Sequence, residues 1–418
     1  MASWVKHSHP FPFIRAFFEQ SYHRSRRLVS TAVSVISLIW GIYEFPRHGV
    51  TGIFIINSAL FIASALATLN QISSLRRWSI NTDGAKIELL DPDDLLTISV
   101  SPSLLNIGYE FLNEHGRPFL TNYAINEAFV NGADAELEIK RSNFDMNNVY
   151  NSVREKLVNA KREAGALIFD GAKVRMCEDL QQINNSLQKV VLERTSYFAT
   201  VMTNDAINSE IFLSGRHTPI YSGRETCFPR GQMPPFSKSD ASNQIGASTL
   251  AITNDGFLVL MLNGPSSAIA SGKMTSSGSG SSDWKDLNSK FGLTAFIRHT
   301  ALRELTEELG IQLSSIDAFG VIGYGRFIDR GGKPEFFCVA RLSANRSEIR
   351  VSKPEKKFMQ SSEFYELEKT IPIGTSLQQA AKYFLDNHEP ELSNSLFWNL
   401  KVLAMADSSK LTEILEVI

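Results

Sequence analysis

The distribution of apolar residues separates two long apolar runs near the N-terminus from a remainder in which short apolar runs alternate with polar segments. The first run extends over residues 28–45 and the second over residues 50–69, with Arg47 and His48 between them. About 20 apolar residues in a helix cross the hydrocarbon core of a bilayer. The runs therefore predict a two-helix transmembrane hairpin at residues 28–78, preceded by a basic and aromatic arm at residues 1–27.

Basic residues flank this predicted hairpin on both outer sides: Arg24, Arg26 and Arg27 before it, Arg76 and Arg77 after it. Because positively charged flanks stay in the cytoplasm, both ends of the hairpin are expected there. No small-residue cleavage site follows the first run, which disfavours a signal peptide. Neither run has an amphipathic stripe, which disfavours two buried core helices.

The middle region, residues 79–240, has a mixed pattern that predicts a small α+β region. Asn147–Ala164 is predicted to be a helix that ends before Gly165. Ala166–Met176 is predicted to be a strand pair that turns at Asp170-Gly171, since Asp-Gly is a good hairpin turn. Leu180–Leu192 is predicted to be helical. No motif in this region indicates a function.

The C-terminal region, residues 241–418, begins with two apolar runs, Thr249–Ile252 and Phe257–Leu262, joined by Asn254-Asp255-Gly256. Such a turn between strand-like runs is a strong signal for a β-hairpin. Further apolar patterns predict two strands and two helices, at Phe319–Tyr324, Glu335–Leu342, Thr375–Leu385 and Ser395–Met405.

One further helix is predicted from about Thr294, a suitable N-cap, to Leu309, with Gly310 as the C-cap. Its core stripe consists of Leu302, Leu305 and Leu309. Its carboxylates Glu304, Glu307 and Glu308 follow the i, i+3, i+4 spacing and share another face. A solvated acidic face is one interpretation. The other is a divalent cation site, since Mg²⁺ takes oxygen ligands and would remove the repulsion between these charges.

The segment Arg303–Ile311 resembles the second half of the Nudix box at every position that the motif defines. In the family a Glu lies eight residues before the Arg and a Gly six residues before that Glu, but this chain has Ala295 and Ser289 there. Gly280 and Asp286 reproduce the same glycine-to-acid spacing, followed by a longer insertion. The upstream half of the motif is thus either absent or displaced.

The resemblance implies an α+β fold for the C-terminal region, a Nudix α/β/α sandwich with a mixed sheet, capable of phosphoanhydride hydrolysis. It implies Mg²⁺ or Mn²⁺ as the cofactor, with Glu304, Glu307 and Glu308 as the metal ligands. It assigns Arg303, Glu304 and Glu308 to catalysis. Glu335 stands where the family often has a further carboxylate, although a surface position is the simpler interpretation.

The run 266–282 is composed almost entirely of Ser, Gly and other small residues. This composition is typical of a flexible linker. Its position before the box helix equally favours a glycine-rich loop whose backbone N–H groups cradle a phosphate. Under the second interpretation Gly278 and Gly280 bind the ligand.

Composition narrows the functional classes. The chain has 42 basic and 44 acidic residues in 418, so it has no bulk attraction to nucleic acid and DNA binding is not expected. Three scattered cysteines form neither a disulfide framework nor a metal-binding spacing. A reducing compartment is therefore expected.

The order of membrane hairpin, middle region and Nudix-type region is similar to two-transmembrane Nudix effectors of bacterial cyclic-oligonucleotide (CBASS) antiphage systems. This resemblance implies a multi-pass protein of the bacterial inner membrane, with the N-terminus and the Nudix domain in the cytoplasm. It implies a nucleotide or cyclic oligonucleotide ligand, contact with membrane lipid, a homo-oligomer and a functional link to a cGAS-like nucleotidyltransferase. Two alternatives remain: a non-catalytic nucleotide sensor, and a housekeeping membrane-bound Nudix pyrophosphohydrolase acting on a nucleoside diphosphate derivative.

Overall fold

A computed structural model describes residues 85–146, 151–163, 168–183, 186–263, 272–288, 291–350, 359–366 and 377–416. Gly84–Ile418 forms one compact unit. The predicted arm at residues 1–27 and hairpin at residues 28–78 lie outside the described residues and stay predictions. In the ranges given above, no helix is both long enough and apolar enough to cross a membrane.

The described elements are numbered in chain order. The strands are β1 (Lys86–Leu89), β2 (Ser99–Val100), β3 (Glu110–Glu114), β4 (Arg117–Thr121), β5 (Leu137–Asn143), β6 (Ala172–Met176), β7 (Gln182–Ile183), β8 (Ser186–Leu187), β9 (Val190–Ser196), β10 (Ser209–Phe212), β11 (Tyr221–Ser222), β12 (Gln232–Met233), β13 (Gly246–Ile252), β14 (Phe257–Asn263), β15 (Met274–Thr275), β16 (Gly278–Ser281), β17 (Ile316–Phe327), β18 (Lys333–Leu342) and β19 (Met359–Glu366). The α-helices are α1 (Pro102–Asn106), α2 (Tyr123–Val130), α3 (Asn151–Glu163), α4 (Tyr197–Met202), α5 (Gly223–Cys227), α6 (Leu293–Leu309), α7 (Leu377–His388), α8 (Asn394–Met405) and α9 (Ser408–Glu416).

A mixed sheet of nine described strands forms the centre of the unit, in the order β15-β14-β13-β18-β17-β4-β3, with β16 beside β13 and β19 beside β14. Strands β13 and β18 are parallel, with Gly246 opposite Glu335. The other described pairs in this sheet are antiparallel. The parallel pair at the centre is what makes the sheet mixed.

Helices cover both faces of this sheet because side chains alternate along its central strands. Phe336 of β18 packs in the same cluster as Phe296 of α6, on one face. Phe337 and Val339 pack on the other face in the cluster that contains Trp398 of α8. The chain is therefore a mixed α+β protein, with helices on both faces of a mixed sheet as the sequence predicts.

The strongest local signals are confirmed. Strands β13 and β14 form the predicted hairpin, with Ala251 opposite Val259, and the turn at Gly256 has a φ of 80°. Strands β17 and β18 contain the other two predicted strands, and helices α7 and α8 correspond to the two predicted C-terminal helices. Helix α3 corresponds to the helix predicted in the middle region, over the residues that are described there.

The middle region contributes directly to the central sheet. Strand β4 pairs with β17, with Thr121 opposite Gly325, and β3 continues the sheet beyond β4. A second sheet, in the order β5-β9-β6, also belongs to the middle region. The sequence places a boundary at residue 240, but residues on both sides of it build one sheet.

Two predictions in the middle region are wrong. Leu180–Leu192 is not a helix but holds β7, β8 and the start of β9, because its β-branched end Val190-Val191 is buried in a sheet. Within the described residues 168–176, the hairpin predicted at Asp170-Gly171 does not form either. Strand β6 pairs with β9 instead, and the Asp170 carboxylate accepts the Phe198 N–H at 2.9 Å.

Helix α6 begins differently from the prediction and ends as predicted. Gly292, not Thr294, is the N-cap residue. The carboxylate of Asp134, from the middle region, accepts the Thr294 N–H at 2.7 Å and so caps the helix from a distance. A Cβ atom at Gly292 would lie 1.9 Å from Asp134, which explains the glycine. At the other end, Gly310 is left-handed with a φ of 65°.

Candidate functional site

Helix α6 presents its three glutamates in three different environments. The apolar stripe Leu302, Leu305 and Leu309 is buried as predicted. Glu307 is half exposed, Glu304 is mostly covered and Glu308 is buried. The carboxylates therefore do not form one solvated face.

Strand β16 is the element that covers Glu304 and Glu308. It pairs with β13, from Gly246 opposite Ser281 to Thr249 opposite Gly278, and lies across α6. The described part of the Ser/Gly run, residues 272–282, thus contains the two short strands β15 and β16 rather than a flexible linker. Residues 264–271 lie outside the described residues.

The glycines of β16 permit a very close approach to α6. A Cβ atom at Gly280 would lie 2.1 Å from Cδ of Glu304, and one at Gly278 would lie 2.7 Å from Cα of Leu305. Between them, the Ser279 N–H donates to Oε2 of Glu308 at 3.3 Å. The missing Cβ atoms thus serve the contact between strand and helix, and phosphate binding by Gly278 and Gly280 stays a prediction.

Arg303 joins the carboxylates of the site. Its Nη2 and Nε lie 2.8 and 3.1 Å from Oδ2 of Asp286, which is buried. Its Nη1 donates to Glu304 at 2.8 Å and to Glu307 at 3.3 Å. A guanidinium fork suits such bidentate contacts. The pairing of Asp286 with Arg303 favours the displaced version of the upstream motif, which the sequence left open.

The middle region adds a lysine that the sequence analysis missed. Nζ of Lys173, on β6, lies 2.6 Å from Oδ1 of Asp283, beside the box helix. Oδ2 of Asp283 lies 3.2 Å from Lys285 and 3.9 Å from Arg303. Lys173 stands 110 residues before Asp283, so no local spacing could have indicated the contact.

Burial and charge act in opposite directions on these groups. Burial raises the pKa of Glu304 to about 7, although the adjacent Arg303 and the charge of Lys173 work to lower it. Burial also works to raise the pKa of Asp283, but Lys173, Arg303 and Lys285 outweigh it and the pKa is lowered. Burial works to lower the pKa of Arg303, and the surrounding carboxylates outweigh it and raise it.

The donor set fits a hard divalent cation only in part. Glu304 and Glu308 supply carboxylate oxygens one helical turn apart, the ligands that Mg²⁺ and Mn²⁺ prefer. Arg303, however, engages both Glu304 and Glu307. In the described part of the chain, no three His, Cys, Asp or Glu side chains are grouped to hold a metal ion.

Glu335 is not a surface residue. It is buried, and its Oε2 lies 2.5 Å from Nζ of the buried Lys333. Both side chains fill the space that a side chain at Gly246 would take. This glutamate is therefore paired within the core of the sheet.

No protein-family model matches the chain, and no curated protein matches it. Two solved structures resemble part of the fold. DR0079 from Deinococcus radiodurans is 10% identical with a TM-score of 0.27, over 38% of this chain and 81% of that one. The MutT protein from Methanosarcina mazei Go1 is 16% identical with a TM-score of 0.22, over 38% of this chain and 92% of that one.

Proposed function

We propose that the C-terminal region is a Nudix-type hydrolase that cleaves a phosphoanhydride in a nucleoside diphosphate derivative, using Mg²⁺ or Mn²⁺. The observation that carries the proposal is the contact of Arg303 with Asp286 and Glu304. This contact supports the proposal because Asp286, which has the glycine-to-acid spacing of the upstream motif relative to Gly280, lies beside Arg303.

Each residue has a distinct role in this proposal. Glu304 and Glu308 hold the cation, with Glu307 as the outermost carboxylate. When bound, a divalent cation neutralises charge that develops on phosphate and lowers the pKa of water bound to it. Arg303 orients Glu304 and Glu307, and Asp286 fixes the guanidinium in turn. Strand β16 excludes water from Glu308.

Glu308→Gln tests this assignment. The substitution preserves shape but removes the charge, so Mg²⁺ affinity and release of phosphate-containing products from nucleoside diphosphate derivatives should both fall at least tenfold. Calorimetry and product analysis on the full-length protein measure these effects. Glu413→Gln, an exposed carboxylate on α9, is the matched control. Unchanged turnover in Glu308→Gln would exclude a catalytic role for this carboxylate.

A second function is favoured by the engagement of Glu304 and Glu307 by Arg303, which leaves fewer carboxylates available to a metal. In it, the C-terminal region senses a cyclic oligonucleotide made by a cGAS-like nucleotidyltransferase, and the predicted hairpin disrupts the bacterial inner membrane in an antiphage response. A ligand changes the hairpin only through different affinities for its two states. The housekeeping pyrophosphohydrolase has the same activity as the hydrolase proposed first, and in it the predicted hairpin only anchors the enzyme to the membrane.

Dye leakage from liposomes that contain the full-length protein separates these functions. A sensor should permeabilise the vesicles when a cyclic oligonucleotide is added, and Glu308→Gln should retain the leakage.

Cysteines introduced at Gly49 and at the exposed Glu413 test the orientation in whole cells. An impermeant reagent should label the first and not the second. Labelling at Glu413 would contradict a cytoplasmic C-terminal region.

A further inference from the structure

Lys173 stands apart from the motif residues because it comes from the middle region and still reaches the carboxylate site. Backbone hydrogen bonds fix its strand: the Val174 N–H donates to Ser282 at 3.1 Å, and the Ile245 N–H donates to Val174 at 3.0 Å. These backbone bonds hold β6 against the residue that follows β16 and the residue that precedes β13, without any side chain. The ion pair of Lys173 with Asp283 is therefore not needed to attach the strand.

The charge balance around Arg303 leaves a need for a cation. The carboxylates there outnumber the cations: Asp283, Asp286, Glu304, Glu307 and Glu308 against Lys173, Lys285 and Arg303. Nε, Nη1 and Nη2 of Arg303 already donate to Asp286, Glu304, Glu307 and the Ser281 carbonyl. Arg303 could bind a phosphate only by giving up one of these partners.

Lys173 is in a different position. An ammonium group has three donors, and in the described part of the structure the hydrogen bond of Lys173 goes to Asp283. If Lys173 turned to a ligand, Asp283 would keep Lys285 and Arg303 as neighbours. Lys173 can therefore leave Asp283 without leaving that carboxylate unpaired. Its positive charge already acts on Glu304, where it works to lower the pKa.

We propose that Lys173 binds a phosphate of the substrate and that its pair with Asp283 holds it in position until the substrate arrives. The inference rests on the proposed function and deepens it, because it gives the middle region a part in recognising a diphosphate. Lys173 is a binding residue from outside the motif, so a C-terminal region without the middle region would lack it.

The test uses inorganic pyrophosphate as the probe, titrated in the presence of Mg²⁺ into the full-length protein. Lys173→Met should weaken pyrophosphate binding on the order of 10- to 100-fold, as expected for a lost charged hydrogen bond. Lys173→Arg should restore part of it. Lys189→Met, which removes an exposed lysine of another ion pair, should change nothing.

Asp283→Asn separates binding from a structural role. If Lys173 binds phosphate, freeing it from Asp283 leaves pyrophosphate affinity unchanged or tighter, opposite in sign to Lys173→Met. Equal weakening in both variants, with equal losses in melting temperature, would make the pair structural and overturn the inference. Unaltered affinity in Lys173→Met, with binding intact in the wild type, would overturn this inference alone. No pyrophosphate binding by the wild type would refute the proposed function itself.

Discussion

Two arginines of the C-terminal region, Arg326 and Arg303, have different surroundings, and Arg326 is the one that contacts the middle region. Arg326 is 1% exposed: its Nη1 lies 2.7 Å from Asp179, and its guanidinium lies 3.7 Å from the centre of the Phe236 ring. Arg303 is 16% exposed and stands among several carboxylates. One is a closed pair with matched charge, and the other is an open cluster with excess negative charge.

The difference separates structural from functional electrostatics. Arg326 also donates to the Gly332 and Pro234 carbonyls, so its donors are used within the protein. A buried charge with all partners supplied fixes one arrangement and has no need of a ligand. An excess of carboxylates at a partly exposed position is costly without a cation, so a site of this kind gains from a ligand.

The largest effect is expected from removing the middle region altogether. Residues 241–418 alone should not fold, because β17 loses β4, Arg326 loses Asp179, and α6 loses the cap that Asp134 provides. Near-ultraviolet circular dichroism and chemical denaturation of this fragment measure the effect, with residues 84–418 as the control. A cooperative unfolding transition in the short fragment would show that the two regions are separate domains.

The next effect comes from breaking the closed pair. Arg326→Met leaves the buried Asp179 without a cation and should lower the free energy of unfolding by about 3–5 kcal/mol. Urea denaturation measures it, and Lys189→Met, at an exposed pair, is the control. A loss as small as that of the control would mean that Asp179 does not depend on Arg326.

The pH dependence of this variant has a definite sign. Burial raises the pKa of Asp179 even with Arg326 beside it, and without Arg326 the pKa should rise further. An acid whose pKa is higher in the folded state binds more protons when folded, so it favours folding as the pH falls. The deficit of Arg326→Met should therefore shrink as the pH is lowered from 8 towards about 4, the ordinary pKa of an aspartate.

A substitution at Arg303 in the open cluster should reduce stability less than Arg326→Met does, and it should reduce ligand binding more. Arg303→Met removes the fork from Asp286, which still accepts the Asp283 N–H at 3.0 Å, so unfolding should become easier by about 1–3 kcal/mol. The loss in Mg²⁺ and pyrophosphate affinity, expressed as a free energy, should be larger than this loss in stability, because Glu304 and Glu307 lose the partner that orients them. Arg303→Lys, a matched control for charge, should keep the stability better than the function. Equal stability losses in Arg326→Met and Arg303→Met would erase the contrast between the two arginines.

The sequence predicts those parts of the fold whose signals are local. The hairpin at Gly256 and the end of α6 at Gly310 follow from turn and cap chemistry within a few residues. The segment at Val190-Val191 was misassigned because a short apolar run fits either a helix or a strand until its neighbours are known. Strand β16 was not predicted, because the Ser/Gly composition suggested a linker or a loop, whereas its glycines are explained by the helix that they approach.

The candidate site divides in the same way. Glu304, Glu307 and Glu308 could be found because helical spacing relates them, whereas their burial could not. The sequence offered Asp286 only as the acid of a displaced upstream motif, with the absence of that half of the motif as the alternative, and it did not predict the contact with Arg303. Lys173 and Asp134 lie 110 and 160 residues before the residues that they contact, and only the sheet that joins the two regions brings them there.

The smallest effect is expected from neutralising the exposed carboxylate of the cluster, and it tests which carboxylates hold the cation. Glu307 is half exposed and contacts Arg303 from its outer side, while Glu308 is buried and accepts the Ser279 N–H. Removing an exposed charge has a weaker electrostatic effect than removing a buried one, because water screens it. Glu307→Gln should therefore weaken Mg²⁺ binding by only a few-fold, well below the loss in Glu308→Gln. Calorimetry on both variants compares them directly. Equal losses would mean that binding draws Glu307 away from Arg303 and inward, so that all three carboxylates hold the cation as the motif implies.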